Sequence, residues 1–409
     1  MASKDDLIYD WNTQTPPGAG SLRPIEFDDE TLRDGLQSPS VRNPSIDEKI
    51  RILHLMDKLG IHTADLGLPG AGPQHIEHIR VLAKEIASSK LKIRANVACR
   101  TVVGDIAPVV DLVQETGVPI EVCAFIGSSP IRQFTENWDE DRLVAMSSEA
   151  LAFGVKEGLD VMYVTEDTTR SKPSTLRRLF LNAIDLGVKR LCLCDTCGHA
   201  TPDGVSALVK FTSDLIAETG RPVGIDWHGH EDRGLGLPNA LTAIEAGVGR
   251  VHACALGIGE RVGNTAMDTL LVNLKLLGWI DNDLTALNDY CQTVSRAVNV
   301  PIPSGYPVIG ADAFLTATGV HASAVIKALK KEDAWLANRV YSGVPADLFG
   351  LEQKIAIGHM SGRSNITWWL EKKGIKATDS LVNTIFEHCK QGQALMSDSE
   401  VMAIVSAHR

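Results

Sequence analysis

Pro24-Ile25-Glu26-Phe27 reads as a short β-strand, and it leads through Asp28-Asp29 into Glu30-Thr31-Leu32-Arg33-Asp34-Gly35. A doubly wound dinucleotide fold would place a glycine-rich turn after its first strand. A charged turn stands here instead. Seven further runs follow: HTADLG (62–67), KIRANVAC (92–99), PIEVCAFIG (119–127), DVMYVTE (160–166), RLCLCD (190–195), PVGIDWHG (222–229) and RVHACALG (250–257). Most are continuously apolar, as parallel strands covered by helices on the outside must be. Between them lie amphipathic segments with helix signals. Ser45 and Glu48 form a capping box before the stripe Ile46, Ile50, Leu53, and Gly60 ends that segment. Thr201-Pro202 marks another helix start. About eight β/α units in about 260 residues predict an α/β protein of the (β/α)₈ TIM-barrel type.

The expected organisation is an N-terminal extension (1–21), a barrel (22–281) and a mainly helical C-terminal region (282–409). In the last part a helix near 284–298 precedes the stiff connection PIPSGYP, and no clear strand follows. With 44% hydrophobic and 22% charged residues the chain has the profile of a soluble globular protein. No apolar run approaches the ~18–20 residues of a membrane span. The acidic, polar start lacks the features of a signal peptide, which predicts a cytoplasmic address. A net charge of −11 argues against nucleic acid as a partner. Cys99, Cys123, Cys192 and Cys254 sit in apolar runs and read as buried free thiols, and Cys194-x-x-Cys197 as two packed thiols.

In a barrel of this type the site lies at the C-terminal strand ends. Those ends carry ETLRDG, Glu166-Asp167-Thr168-Thr169-Arg170, Asp195-Thr196, His228-Gly229-His230-Glu231-Asp232 and the loop from Gly257 to Asn264. Such charge beside apolar strands is costly unless it is paired or binds a cation. His228 and His230, two residues apart, face one side of an extended segment. With Asp34 from another strand end they predict a divalent metal site. Nitrogen and oxygen donors suit Mn²⁺, Zn²⁺ or Mg²⁺ without choosing among them. A bound metal would act as a Lewis acid on a carbonyl.

ETLRDG, HGHEDRGLGLPNAL and GIGERVGN together resemble the superfamily of Claisen-type acyltransferases and lyases that includes 2-isopropylmalate synthase. FIGSSPI, TEDTTRS, DTCGHATP, IGADAFLTATGVH and GHMSGRSN extend the resemblance over roughly residues 22 to 370. It implies a metal-dependent condensation of acetyl-CoA with a 2-oxo acid to a 2-alkylmalate-type product, with a lyase or aldolase cleaving a 3-hydroxy acid as the alternative. Homocitrate and citramalate synthases are further alternatives within the class. A non-catalytic metal-binding barrel is the reading from another class. By resemblance the metal ligands are Asp34, His228, His230 and Asn264. Arg33 holds the 2-oxo group and Thr196 its carboxylate, with Asp65 and Arg132 assigned to the substrate pocket. Glu166, His321 and Tyr341 are the further catalytic candidates. Gly259, Glu260 and Arg261 belong to the loop beside acetyl-CoA. The resemblance also implies a homodimer with His321 working across the interface, consistent with a proline-rich connection that projects away from its own barrel. Two departures touch substrate choice. Leu68-Pro69-Gly70-Ala71-Gly72 and Gly127-Ser128 are small where relatives are bulkier, which predicts room for a larger apolar 2-oxo acid, aromatic ones included. Arg132 stands where histidine is usual and offers instead a partner for an acidic side chain.

Overall fold

The computed structural model describes residues 7–13 and 24–408. Most of the expected N-terminal extension lies outside them. Eight parallel strands close into a barrel in sequence order. They are β1 (Glu26–Asp29), β2 (Thr63–Asp65), β3 (Arg94–Arg100), β4 (Ile120–Gly127), β5 (Val161–Glu166), β6 (Arg190–Asp195), β7 (Gly224–Gly229) and β8 (Arg250–Ala253). Closure is made by β1 on β8, with Glu26 opposite Arg250 and Asp29 opposite Ala253. Helices alternate with the strands. Among them are α1 (Ile46–Lys58), α2 (Pro73–Ser88), α3 (Val103–Thr116), α4 (Pro130–Glu136), α5 (Glu140–Lys156), α6 (Pro173–Leu186), α7 (Pro202–Thr219) and α8 (Gly236–Ala246).

The local signals work as chemistry dictates. The Ser45 hydroxyl accepts from the Glu48 amide, and the Glu48 carboxylate accepts from the Ser45 amide, so α1 begins where the capping box stands. Thr201 occupies the cap of α7 with Pro202 in the first turn, but its hydroxyl makes no capping bond. Strand one is displaced two residues from its expected place. Its ladder to β8 carries Asp28 and Asp29 into the interior, where the Asn96 amide donates to Asp28 at 2.7 Å and the Tyr290 hydroxyl donates to Asp29. The last strand is shorter than its apolar run, because Ala255–Gly257 turns as a 3₁₀ segment with Leu256 at φ 56°.

The barrel interior is not simply aliphatic. Asp226 accepts from Arg190, Arg250 and His252, and Arg250 also donates to Glu121 at 2.7 Å. The five residues of this layer come from β4, β6, β7 and β8, so the strands are cross-linked by charge. Helix α9 (Met267–Leu276) completes the ring, and α10 (Leu287–Val298) follows. Residues 289–300 group with the barrel, and the second compact unit is 284–288 with 301 onward. The boundary expected at 281/282 falls just before this crossing.

The second unit is mainly helical. It contains α11 (Gly319–Lys330), α12 (Ala334–Ala337), α13 (Arg363–Lys372), α14 (Asp379–Gln391) and α15 (Asp398–Ala407), with four strands of two residues each among its described residues. Those strand pairs were not expected from the sequence, because two residues carry no alternation to read. Its core joins Ile366, Trp369 and Leu370 of α13 with Leu381, Ile385 and Cys389 of α14 and Val401 and Val405 of α15.

Candidate active site

Backbone pairing at the ends of β7 and β8 builds the centre. The Thr265 amide donates to the Gly229 carbonyl at 2.9 Å and the Glu231 amide to the Gly263 carbonyl at 3.0 Å, which sets His230 beside Asn264. The loop must double back tightly to do this. Gly263 has φ 104°, and a Cβ there would sit 1.8 Å from the Gly257 carbonyl oxygen; one on Gly259 would meet the Asn264 amide at 2.1 Å. Only glycine fits either place.

His228 and His230 turn their Nε2 atoms toward each other at 3.3 Å, and each lies 3.7 Å from one oxygen of Asp34. The Asn264 amide nitrogen donates to that same oxygen at 2.7 Å, while its Oδ1 is buried without a partner, as is Nδ1 of His230. Two facing imidazole nitrogens, a carboxylate and a free amide oxygen form a donor set that a divalent cation fits. Burial, and then the neighbouring His228, push the His230 pKa down to about 4, so the ring is the neutral species that ligation requires. On its far side His228 Nδ1 lies 3.5 Å from Glu30. A carboxylate behind a ligating histidine fixes the ring's orientation.

Arg33 is held on three sides. Its Nε donates to Asp65 at 3.0 Å, one terminal nitrogen to Asp34 at 3.0 Å and the other to Glu30. Burial opposes charge on Glu30, but Arg33, His228 and His252 outweigh it and hold that carboxyl well below its usual range. Asp34 is lowered in the same way, whereas burial wins at Asp65 and raises it.

All of these groups except Asp65 and Asn264 border a cavity of about 650 Å³ inside the first unit. Glu30, Arg33, Asp34, Glu166, Thr196, His228, His230, Glu260 and Arg261 line it, and so do Leu68, Ala98, Phe125, Met162 and Val164. Thr196 accepts from the Asp167 amide at 2.8 Å, which leaves its hydroxyl proton to be donated. Burial raises the Glu166 carboxyl, with Arg132 counteracting it. Arg261 is engaged twice by Asp232, at 2.7 and 2.8 Å, and also donates to the Thr196 carbonyl. Asp65 meets the site only through Arg33.

Arg132 does not border the cavity. It pairs with Glu136 at 3.2 Å, and its Cγ fills the space in which a Gly127 Cβ would stand. Likewise the Asp105 carboxylate fills the space beside Gly70. The expectation that these glycines enlarge the pocket is therefore corrected: neighbouring side chains occupy the room they leave. His321 and Tyr341 belong to the second unit, where their rings stack at 4.2 Å on its exposed surface. Two groups were missed from sequence. Glu30 was visible in ETLRDG but given no role. His252, in an apolar strand, donates to Glu30 at 3.0 Å and to Asp226 at 2.9 Å. A lone polar residue inside RVHACALG was the available signal.

Among known proteins, 2-isopropylmalate synthase of Shouchella clausii is 28% identical over 90% of this chain and 70% of its own. (R)-Citramalate synthase of Methanocaldococcus jannaschii is 28% identical over 93% and 74%, and homocitrate synthase of Methanopyrus kandleri 27% over 96% of both. In fold the barrel is similar to the HMG-CoA lyase of Bacillus subtilis, with a TM-score of 0.57 at 20% identity over 71% of this chain and 97% of that one. The HMGL-like family profile matches residues 24–294, and with two thirds of its length so covered the chain belongs to the HMGL-like family.

Proposed function

We propose that the chain is an acyltransferase that condenses acetyl-CoA with a 2-oxo acid bearing an apolar side chain, releasing CoA and a 2-alkylmalate-type product. The observation that carries this reading is the convergence of His228, His230 and Asp34, with Asn264, beside a clamped Arg33 at one cavity that also has an apolar stretch of wall. A divalent cation held by those four residues would supply Lewis-acid polarisation of the ketone. Arg33, unable to swing because three carboxylates grip it, presents a fixed positive charge to the 2-oxo group. The free hydroxyl proton of Thr196 suits the substrate carboxylate. Loss of a methyl proton from acetyl-CoA gives the carbon nucleophile that bonds to the ketone carbon. Water then cleaves the thioester and CoA leaves as the thiol. Glu166 and His321 are the groups proposed to take or position that proton, and Gly259, Glu260 and Arg261 to border the acetyl-CoA.

Synthases of three different products match the chain at nearly equal identity, which bears on the class of reaction and not on the side chain accepted. The side-chain preference rests instead on Leu68, Ala98, Phe125, Met162 and Val164 in the wall. Thiol release should be measured with pyruvate, 2-oxoisovalerate, 2-oxoglutarate and phenylpyruvate. Higher kcat/KM for the larger apolar acids is expected. A preference for pyruvate or 2-oxoglutarate overturns the side-chain assignment, and no CoA release with any acid overturns the reaction. His321 is proposed to act, with Tyr341, in the site of a partner subunit. Asp34→Ala and His321→Ala should then each be inactive alone, yet regain about a quarter of wild-type activity when their subunits are exchanged. Background activity after proven exchange would place His321 in its own subunit's site.

A further inference from the structure

The wall of the cavity contains a chemistry that condensation does not use. Cys192 and Cys194 lie two apart on β6 and share a face, with their Sγ atoms 3.8 Å apart. With Cys123 of β4 and Met162 of β5 they form one buried cluster, against which Val164 packs. All four sulfur-bearing side chains border the cavity. Two thiolates on a tetrahedral cation with metal–sulfur bonds of about 2.3 Å stand about 3.8 Å apart. The pair therefore already has the spacing of a metal dithiolate, while a disulfide needs about 2 Å. Cys123 and Met162 stand in the same cluster, but the three cysteine sulfurs do not all lie within 4.8 Å of one another, so the Cys192–Cys194 pair supplies the two thiolates of the site. This set is chemically distinct from the nitrogen and oxygen donors of Asp34, His228, His230 and Asn264.

We propose that the cavity carries a second cation site, formed by Cys192 and Cys194 with Cys123 and Met162 beside them, that takes a thiophilic d¹⁰ cation such as Cd²⁺, Zn²⁺ or Cu⁺. Binding breaks two S–H bonds and forms two sulfur–metal bonds. Both protons pass to solvent and nothing is oxidised or reduced. A cation there narrows the cavity, so the site makes the protein sensitive to thiophilic metals.

The test uses the full chain saturated with Mn²⁺, so that the nitrogen and oxygen donors are occupied, and titrates it with Cd²⁺. The expected result is an ultraviolet thiolate-to-cadmium charge-transfer band that saturates at one equivalent. Cys192→Ser and Cys194→Ser should each weaken binding by more than the about 10–100-fold that a lost supporting hydrogen bond costs at a metal site. Cys197→Ser and Cys389→Ser should leave it unchanged. Because a serine in the strand can disturb packing, X-ray absorption at the cadmium edge of the unaltered protein gives a second reading, with two or more sulfur neighbours expected. No band, a band that survives both strand variants, or fewer than two sulfur neighbours overturns the site and leaves the cluster as packed thiols.

Discussion

Asp226 and Asp34 are both buried carboxylates among basic groups, and they are completed differently. Asp226 is enclosed by Arg190, Arg250 and His252, each within hydrogen-bonding distance. Burial opposes its charge, but Arg250, Arg190 and His252 outweigh that and hold it ionised. Asp34 has Arg33 on one oxygen and the Asn264 amide on the other, while both imidazoles stop at 3.7 Å. Its neighbourhood also keeps a free amide oxygen and a free imidazole nitrogen buried. The number of charges does not tell the two places apart. What differs is whether the protein alone satisfies them: Asp226 has its cations built in, and Asp34 is the one proposed to receive a metal ion.

That difference sets the largest expected effects. Asp34→Ala should lower kcat/KM by about 1,000-fold, about 4 kcal/mol of transition-state stabilisation. Its unfolding free energy should change by about 1 kcal/mol or less, since Arg33 keeps Glu30 and Asp65. Asp226→Ala should do the reverse in kind, destabilising the fold by about 3–5 kcal/mol because Arg250 is left buried with one partner fewer. Denaturant unfolding and steady-state rates on the two variants decide this. Equal stability losses would erase the contrast.

Asp29 sharpens it from a third side. It has no cation within bonding distance, only the Tyr290 hydroxyl, the Thr31 amide and burial, and burial raises its pKa from 3.8 to about 7. An acid whose folded pKa is raised contributes stability that is complete below its unfolded pKa and is lost as pH rises through the folded one. Stability should therefore fall between pH 3.8 and about 7, by on the order of 2–4 kcal/mol from this group. Asp29→Asn should remove that part of the slope. An unchanged slope in the variant would show that Asp29 is ionised throughout.

The smallest effect concerns a single hydroxyl. Thr196→Val keeps the shape but removes the donor, and should raise KM for the 2-oxo acid by about tenfold or more, from the about 1.5–3 kcal/mol of a hydrogen bond to a charged group. A change confined to kcat would place Thr196 away from the substrate carboxylate.

The barrel was legible because its parallel strands are buried on both faces and so appear as apolar runs between capped helices. Asp34, His228 and His230 were legible because ionisable residues at the ends of such runs are costly without a purpose. Asn264 was reached only through resemblance, since a neutral amide leaves no charge signal. Glu30 and His252 were not read, because their pairing joins residues 222 apart in the chain and depends on barrel closure. The pocket estimate went astray for a related reason. A missing Cβ leaves volume, but whether a ligand or a neighbour such as Arg132 takes it is decided by packing. Among the cysteines, the sequence pointed to Cys194 with Cys197, whereas in space Cys194 meets Cys192 and Cys197 accepts from Arg170 at 3.1 Å.

The central claim is that Asp34, His228, His230 and Asn264 hold a divalent cation needed for the reaction. It is tested most directly on protein stripped by a strong chelator and verified metal-free by elemental analysis, then titrated with Mn²⁺ while binding and CoA release are followed together. One equivalent should bind and restore activity in parallel, and His228→Ala and His230→Ala should lose both. Full turnover in the metal-free protein, or Mn²⁺ binding unchanged in the two histidine variants, would contradict it.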